Sequence, residues 1–199
     1  MSTASISDIS IDQRASKGTS SPVLGMILFV ASEAMFFAAF FGAYFTIRGT
    51  AKVWPPPGIP HLKIDVAAVL TVILVTSSLG VQLSLRSIRR GDQRPAVLII
   101  GATIVLGIAF LLLQLYDYSQ LGFGVKDGTF GTLFYVMTGI HMAHVFGGVV
   151  FLGLVFGQAR GGVLSAANHD SLAAGAIYWD FVDIVWILLF TTFYLLTPR

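Results

Sequence analysis

The stretch Val23–Ile47, VLGMILFVASEAMFFAAFFGAYFTI, decides the fold of this chain. It is long enough to cross a bilayer as one α-helix, and it carries a single formal charge, Glu33. At about 1.5 Å of rise per residue, Glu33 lies roughly 15 Å from the Val23 end, in the middle of a hydrocarbon core about 30 Å thick. A carboxyl group at that depth is costly, so Glu33 is expected to face a partner group rather than lipid tails.

The composition extends this conclusion to the whole chain. Of its 199 residues, 55% are hydrophobic and only 11% are charged, whereas about a quarter are charged in a soluble protein. The chain is therefore expected to be an integral membrane protein. Its formal net charge of +2 is too small to indicate a nucleic-acid partner. The absence of cysteine excludes disulfides, iron–sulfur clusters and cysteine-ligated copper.

Four more apolar segments follow the first, each bounded by charged residues, proline or glycine. The pattern predicts an all-α integral membrane bundle of five transmembrane helices in one domain, residues 22–199. The helices are expected at about 23–47, 66–85, 95–118, 130–156 and 172–196. Residues 1–21 are polar and lack the apolar core of a signal peptide, which predicts a mobile N-terminal tail.

The distribution of Lys and Arg favours the N-terminus inside and the C-terminus outside. With five spans, the tail, the second loop and the fourth loop share one side of the membrane. That side carries the larger set of basic residues: Arg14, Lys17, Arg86, Arg89, Arg90, Arg94 and Arg160. Cytoplasmic loops retain such an excess, so this side is predicted to be cytoplasmic.

Two histidines, His141 and His144, lie three residues apart in the fourth segment and are expected to share a helical face. Metal or haem ligation, proton relay and hydrogen bonding to neighbouring helices are all open interpretations. A bis-histidine haem normally takes its ligands from two helices, and no other segment offers a histidine, which favours the structural interpretation. His141 lies at a depth similar to that of Glu33 and is its expected partner.

Asp180 and Asp183 share a face of the fifth segment, where Trp179 and Trp186 flank them. His144 is predicted to lie at a comparable depth, where an imidazole–carboxylate contact would lower the burial cost of both groups. An internal polar clasp and a proton-conducting role are both open interpretations of this acidic pair.

Two further patterns concern the third and fourth segments. Gln114, Asp117 and Tyr118 lie at the end of the third segment, where they are expected to hold the Lys126–Asp127 loop or to contact another subunit. A stripe of small residues in the fourth segment predicts close approach of a neighbouring helix: Gly139, Ala143 and Gly147.

Five motifs in the same chain resemble subunit III of the haem–copper respiratory oxidases, in order and over about residues 22–197. They are SEAMFF at Ser32–Phe37 followed by FFGAYF, WPPP at Trp54–Pro57, LLLQLYDY, TGIHMAHVFGG at Thr138–Gly148, and YWDFVDIVWILLFTTFYL. Two positions depart from the family pattern. The family usually has histidine where this chain has Asp180, and glutamate where it has Asp117.

The resemblance implies a non-catalytic subunit of a proton-pumping terminal oxidase, which reduces O₂ to water with electrons from cytochrome c or a quinol. Haem and copper are expected on partner subunits. This chain is expected to pack against catalytic subunit I, to bind phospholipid between helices and to support proton uptake. The five spans are similar to the short bacterial form of the family, which implies the bacterial cell membrane.

The residue inventory agrees with a chain that holds no redox centre. A haem–copper catalytic subunit needs about six membrane histidines, and the segments here contain two. No catalytic, cofactor-binding or metal residue is therefore assigned. Intramembrane polar, lipid or subunit contacts are assigned to Glu33, Gln114, Asp117, Tyr118, His141, His144, Trp179, Asp180 and Asp183. A free-standing proton-coupled transporter, with Glu33, His144 and the two aspartates as a relay, is the alternative from another class.

Overall fold

The computed structural model describes residues 20–60 and 62–197. Within these ranges the chain forms five helices and no strand: α1 (Ser21–Thr50), α2 (Ile64–Arg89), α3 (Gln93–Gln120), α4 (Gly128–Arg160) and α5 (Asp170–Phe190), the last continuing into a π-helical turn at Thr191–Leu195. All five are long and apolar enough to cross a membrane. The predicted all-α bundle of five spans is confirmed. Residues 1–19 of the predicted tail lie outside the described residues.

Each helix begins two residues before its predicted apolar segment. Polar residues such as Ser21, Asp65 and Gln93 occupy the added first turns. A helix satisfies most of its own backbone hydrogen bonds, so it continues through the headgroup region where polar side chains are solvated. Hydropathy therefore marks the hydrocarbon crossing, whereas the hydrogen-bonded helix is longer.

The fifth helix forms the centre of the bundle. It packs against α1, α2 and α4, whereas α2 packs on α3 and α3 packs on α4. It is also the most buried helix, and α1 is the most exposed. Because α1 contacts mainly α5, its other faces remain open for lipid or protein. The polar residues of α5 are thus surrounded by three helices.

The indole of Trp179 fills the space between α3, α4 and α5. Only 1% of this residue is exposed. A Cβ atom added at Gly107 or at Gly148 would lie 2.9 Å or 2.8 Å from the indole ring. These two glycines admit the ring because they have no side chain, and van der Waals contact of this kind drives helix packing in lipid.

The predicted small-residue stripe is wrong in register. Gly139 has no atom within 4 Å of an added Cβ, Ala143 is exposed, and the nearest atom to Gly147 is the Tyr178 hydroxyl at 3.5 Å. The close approach occurs at Gly148, one residue further along α4. Gly139, Ala143 and Gly147 lie towards the surface of α4, because the Trp179 indole packs on the adjacent face of the helix.

The loop after α1 ties one end of the bundle together. Trp54 Nε1 donates to the Tyr44 hydroxyl at 3.1 Å, and the Trp54 ring packs edge-on against Phe130. The Tyr44 hydroxyl donates to the Thr192 carbonyl at 3.4 Å, and the Arg48 guanidinium donates to the Leu196 carbonyl at 2.7 Å. These contacts fix the exposed helix α1 to the end of α5.

Candidate functional site: polar groups inside the helix bundle

Glu33 and His144 form a contact between α1 and α4. Glu33 Oε2 lies 3.1 Å from His144 Nε2, and the two side chains are 22% and 15% exposed. The other ring nitrogen, Nδ1, lies 2.8 Å from the backbone carbonyl of Ile140. A carbonyl oxygen only accepts hydrogen bonds, so Nδ1 carries a proton and donates it.

This arrangement leaves one proton to be shared between Glu33 and His144. Since Nδ1 is protonated, the Nε2···Oε2 contact needs a proton on one of its two atoms. The pair is therefore either a neutral carboxylic acid donating to a neutral imidazole, or a carboxylate accepting from an imidazolium. In both forms the His144 imidazole forms a hydrogen bond with Glu33 Oε2. This bond lowers the free-energy cost of placing the Glu33 carboxyl group inside the membrane.

The structure corrects two pairings expected from the sequence. Glu33 pairs with His144 and not with His141, and His144 has no hydrogen bond or ion pair with Asp180 or Asp183. Residues three apart on a helix differ by about 60° in direction, because each residue turns the helix by about 100°. That angle is enough to direct His144 towards α1 and His141 into the interior.

His141 is enclosed by aromatic rings. It is fully buried, stacks on Trp186 with ring centroids 5.3 Å apart, and meets the edge of Phe110 at 5.8 Å. Neither ring nitrogen has a hydrogen-bond partner among the residues that the structure describes. Across residues 20–60 and 62–197, no three histidine, aspartate or glutamate side chains are grouped so that they could hold a metal ion.

Asp180 joins α5 to α2. Its Oδ1 accepts a hydrogen bond from Ser78 Oγ at 2.5 Å, and its Oδ2 accepts one from Gln82 Nε2 at 2.5 Å. Asp183, one turn further along, is 8% exposed, and its Oδ1 has no partner in the described part of the chain. The two acids share a helical face as predicted, but α2 supplies the donors that Asp180 needs.

Two tryptophans extend the contact between α5 and α2. Trp179 Nε1 donates to Ser77 Oγ at 2.9 Å, and Trp186 Nε1 donates to Thr71 Oγ1 at 3.0 Å. Sequence analysis missed the whole set of partners on α2: Thr71, Ser77, Ser78 and Gln82. The available signal was the polar run TSS, with Gln82 one turn later, inside an otherwise apolar segment.

We expect Asp180→Asn to keep the contact with α2 and Asp180→Leu to lose it. The asparagine carbonyl can accept from Ser78, and its amide can donate to a rotated Gln82 side chain. Leucine leaves both partners unpaired, which costs about 1–3 kcal/mol for a buried polar group. The thermal midpoint of the purified protein should fall for Asp180→Leu alone, and an equal fall for both variants would contradict the bonding described here.

The polar residues at the end of α3 face other helices and not the adjacent loop. The Tyr194 hydroxyl donates to Asp117 Oδ2 at 3.3 Å, and the Tyr118 hydroxyl lies 2.6 Å from Thr138 Oγ1. Gln114 is fully buried, and both polar atoms of its side chain lack a partner among the described residues. None of the three residues has a hydrogen bond to the Lys126–Asp127 loop among the described residues, where Asp127 Oδ2 accepts from Gly124 N instead, and the alternative contact with another subunit stays a prediction.

An apolar groove of about 540 Å³ lies between α1 and α5. Its walls include Ala38 and Phe41 from α1, and Ile184 and Leu188 from α5. Thr191 and Thr192 line its far end. The lining suits a hydrocarbon chain and offers few hydrogen-bonding groups.

The sequence model of the family described as cytochrome c oxidase subunit III matches residues 13–197. The chain belongs to this family. The match spans all five helices, including those that carry the Glu33–His144 pair and the Asp180 contact. It confirms the resemblance drawn from the five motifs.

Individual members of the family agree with the match. The chain is 39% identical over 176 residues to cytochrome c oxidase subunit 3 of Thermostichus vulcanus, covering 88% of this chain and 87% of that protein. It is 36% identical to the Synechocystis sp. subunit, covering 87% and 75%. The Bos taurus subunit is 35% identical, covering 85% and 67%.

Membership in the subunit III family makes this chain a subunit of a terminal oxidase, in complex with other oxidase subunits. The five apolar helices make it a multi-pass membrane protein. The matches do not favour the alternative hypothesis that the chain is a free-standing proton-coupled transporter. The acids and histidines are therefore to be explained within an oxidase complex.

Proposed function

We propose that the chain is a non-catalytic subunit of a proton-pumping cytochrome c oxidase, which reduces O₂ to water. The observation that carries this proposal is the surroundings of the two histidines in the membrane helices, His141 and His144. His144 is bonded through both ring nitrogens, and aromatic rings enclose His141. The sequence has no cysteine, and no three potential metal ligands are grouped among the described residues. Haem and copper then belong to partner subunits, and subunit I is the catalytic partner.

In this proposal the polar residues inside the bundle hold its helices together, and the bundle packs against subunit I. Six of the nine assigned residues bond neighbouring helices: Glu33, Asp117, Tyr118, His144, Trp179 and Asp180. His141, Gln114 and Asp183 complete the buried polar set. The single proton shared by Glu33 and His144 supports a role for that pair in proton uptake by the complex.

Bound phospholipid is part of the proposed function. The groove between α1 and α5 has a mostly apolar lining, interrupted by Thr191 and Thr192. An acyl chain there would cover Phe41 and Leu188, and would connect the peripheral helix α1 to the rest of the bundle. Van der Waals contact of the acyl chain with both walls of the groove stabilises the complex without adding a charged contact.

Purification of the complex through a tag on this chain tests the proposed function. We expect haem to co-purify stoichiometrically, as measured by the reduced-minus-oxidised spectrum. A complex assembled without this chain should begin O₂ reduction normally and lose activity faster during turnover. A stable, homogeneous oligomer of this chain that contains no haem would refute the proposal.

We further propose that the protein lies in the bacterial cell membrane, with the ends of α2 and α4 in the cytoplasm. Arg86, Arg89, Arg90, Arg94 and Arg160 all lie at this end of the bundle, which supports that orientation.

Cysteine labelling checks this orientation, since the natural chain has no cysteine. Both Arg90 and Lys126 are exposed, and they lie in turns at opposite ends of the bundle. In spheroplasts, a membrane-impermeant maleimide should label Lys126→Cys directly and Arg90→Cys only after permeabilisation. The reverse labelling pattern would show that the protein has the opposite orientation.

A further inference from the structure

Asp180 lies deep in the bundle without a positively charged partner from the described part of the chain. Both of its carboxyl oxygens accept hydrogen bonds, from Ser78 Oγ and Gln82 Nε2, which is the pattern of an ionised carboxyl group. Arg86, one turn beyond Gln82 on α2, is exposed and forms no ion pair with it. Asp180 lies ten residues after the start of α5, about 15 Å along the helix axis. An unpaired carboxylate at that depth is costly.

The surface around Asp180 is otherwise apolar and exposed on the outside of the bundle. Asp180 itself is half-buried, and Ile184 and Ile187 on the same face of α5 are 58% and 42% exposed. On α2, Val75 and Leu79 adjoin the donors to Asp180 and are 37% and 61% exposed. We call these five residues the Asp180 face. Because Ile184 also lines the apolar groove, the Asp180 face is its neighbour on the side of α2.

We propose that the Asp180 face binds a transmembrane helix of another oxidase subunit, and that this helix carries a Lys or Arg side chain at the depth of Asp180. A basic side chain inside the membrane is itself costly, so the pair lowers the cost of both groups. The inference rests on the proposed function for the existence of the partner subunit, and it adds the surface and the chemistry of the contact.

The depth of Asp180 selects a protein helix over lipid as the occupant. Acyl chains carry no charge and no hydrogen-bond donor. The ammonium groups of lipid headgroups lie at the membrane surface, about 15 Å from the middle of the hydrocarbon core. A helix that crosses the membrane can place a basic side chain at any depth, including that of Asp180.

Asp183 gives a second indication of a donor from outside the chain. It is 8% exposed, and its Oδ1 has no hydrogen-bond partner among the residues that the structure describes. It lies one turn from Asp180 along α5 and about 60° from it around the helix axis. Guanidinium and ammonium groups each carry several N–H donors, so one basic side chain can bond with both acids.

Photo-crosslinking in the native complex tests the location of the contact. The photoreactive residue p-benzoylphenylalanine replaces Leu79, Ile187 or Val105 in turn, and Val105 is the control because it is 64% exposed but lies on α3. After irradiation of membranes, the complex is purified and its crosslinked peptides are identified by mass spectrometry. We expect positions 79 and 187 to crosslink to one transmembrane peptide of another subunit that contains Lys or Arg. Position 105 should not crosslink to that peptide.

Asp180→Asn tests the charge, because it keeps hydrogen bonds to α2 and leaves the partner's basic group unpaired. We expect the partner subunit to dissociate about tenfold faster from the detergent-solubilised complex. Asp180→Glu keeps the charge and should dissociate more slowly than Asp180→Asn. Glu33→Gln is the matched control, since it removes a carboxyl group at a similar depth while its amide still bonds with His144, and it should keep the wild-type rate.

The inference fails if positions 79 and 187 crosslink only to lipid or to a second copy of this chain. It also fails if the crosslinked subunit has no basic residue in the transmembrane peptide. Equal dissociation rates for Asp180→Asn and the wild type, or an equal increase for Asp180→Asn and Glu33→Gln, would refute the charged contact. Haem content, measured on each sample, reports separately on the proposed oxidase function, so a haem-containing complex without these crosslinks would overturn the docking surface alone.

Discussion

Gly148→Val should prevent normal assembly of the bundle, with a loss of about 3 kcal/mol or more in stability. The first added carbon would lie 2.8 Å from the Trp179 ring and 3.0 Å from the Tyr178 ring. The indole has no room to move away, because Gly107 contacts its other edge and Ser77 accepts a hydrogen bond from its Nε1. Chain yield in the membrane and the thermal midpoint of the purified complex measure the effect.

Gly139→Val is the matched control for this substitution. It makes the same chemical change on the same helix, at a position with no atom within 4 Å of the added Cβ. Valine has a higher helix propensity than glycine, so this variant should be at least as stable as the natural protein. Equal loss of assembly in the two variants would show that Trp179 does not occupy the space beside Gly148.

Glu33→Leu should destabilise the protein by about 1–3 kcal/mol, because it leaves His144 Nε2 without a partner inside the membrane. Glu33→Gln should retain most of the stability, since its amide can donate to the same nitrogen. The Nδ1–H bond to the Ile140 carbonyl at 2.8 Å holds the imidazole in the tautomer that makes Nε2 available. The difference in thermal midpoint between the two variants measures the contribution of the bond.

A double-mutant cycle with His144→Phe isolates this contact. In that background no ring nitrogen is left unpaired, so Glu33→Leu should cost less than it does in the natural protein. An unchanged cost would show that Glu33 acts through another contact and would remove the basis for assigning the pair a shared proton.

The sequence predicted helices more reliably than it predicted contacts between helices. Hydropathy found all five spans, because the lack of water in the bilayer forces each apolar segment to satisfy its own backbone hydrogen bonds. The polar residues inside the spans were also found, since a charge in an apolar run is visible without any fold. Their partners were assigned from depth and from position along the chain. Neither property distinguishes His141 from His144 as the partner of Glu33, or the loop from Tyr194 as the partner of Asp117.

The contacts between α2 and α5 show why the partners of the polar residues could be identified only from the tertiary structure. Ser78 and Gln82 stand out as polar residues in an apolar segment, but the sequence does not show that they face α5 and donate to Asp180. In the same way, Gly147 and Gly148 are adjacent small residues, and only the position of Trp179 decides which one admits a neighbouring helix.

Glu33 shows the same division between sequence and structure. By itself, the sequence determined that the chain crosses the membrane five times, that Glu33 lies deep in the first span and needs a partner, and that the motifs are those of an oxidase subunit. These properties depend on the length, hydropathy and order of segments along one chain. Only the tertiary structure decided that the partner is His144, that His141 lies among aromatic rings, and that α5 is the central helix. Those outcomes depend on the rotation and register of helices against one another, which arise from side-chain packing across distant parts of the chain.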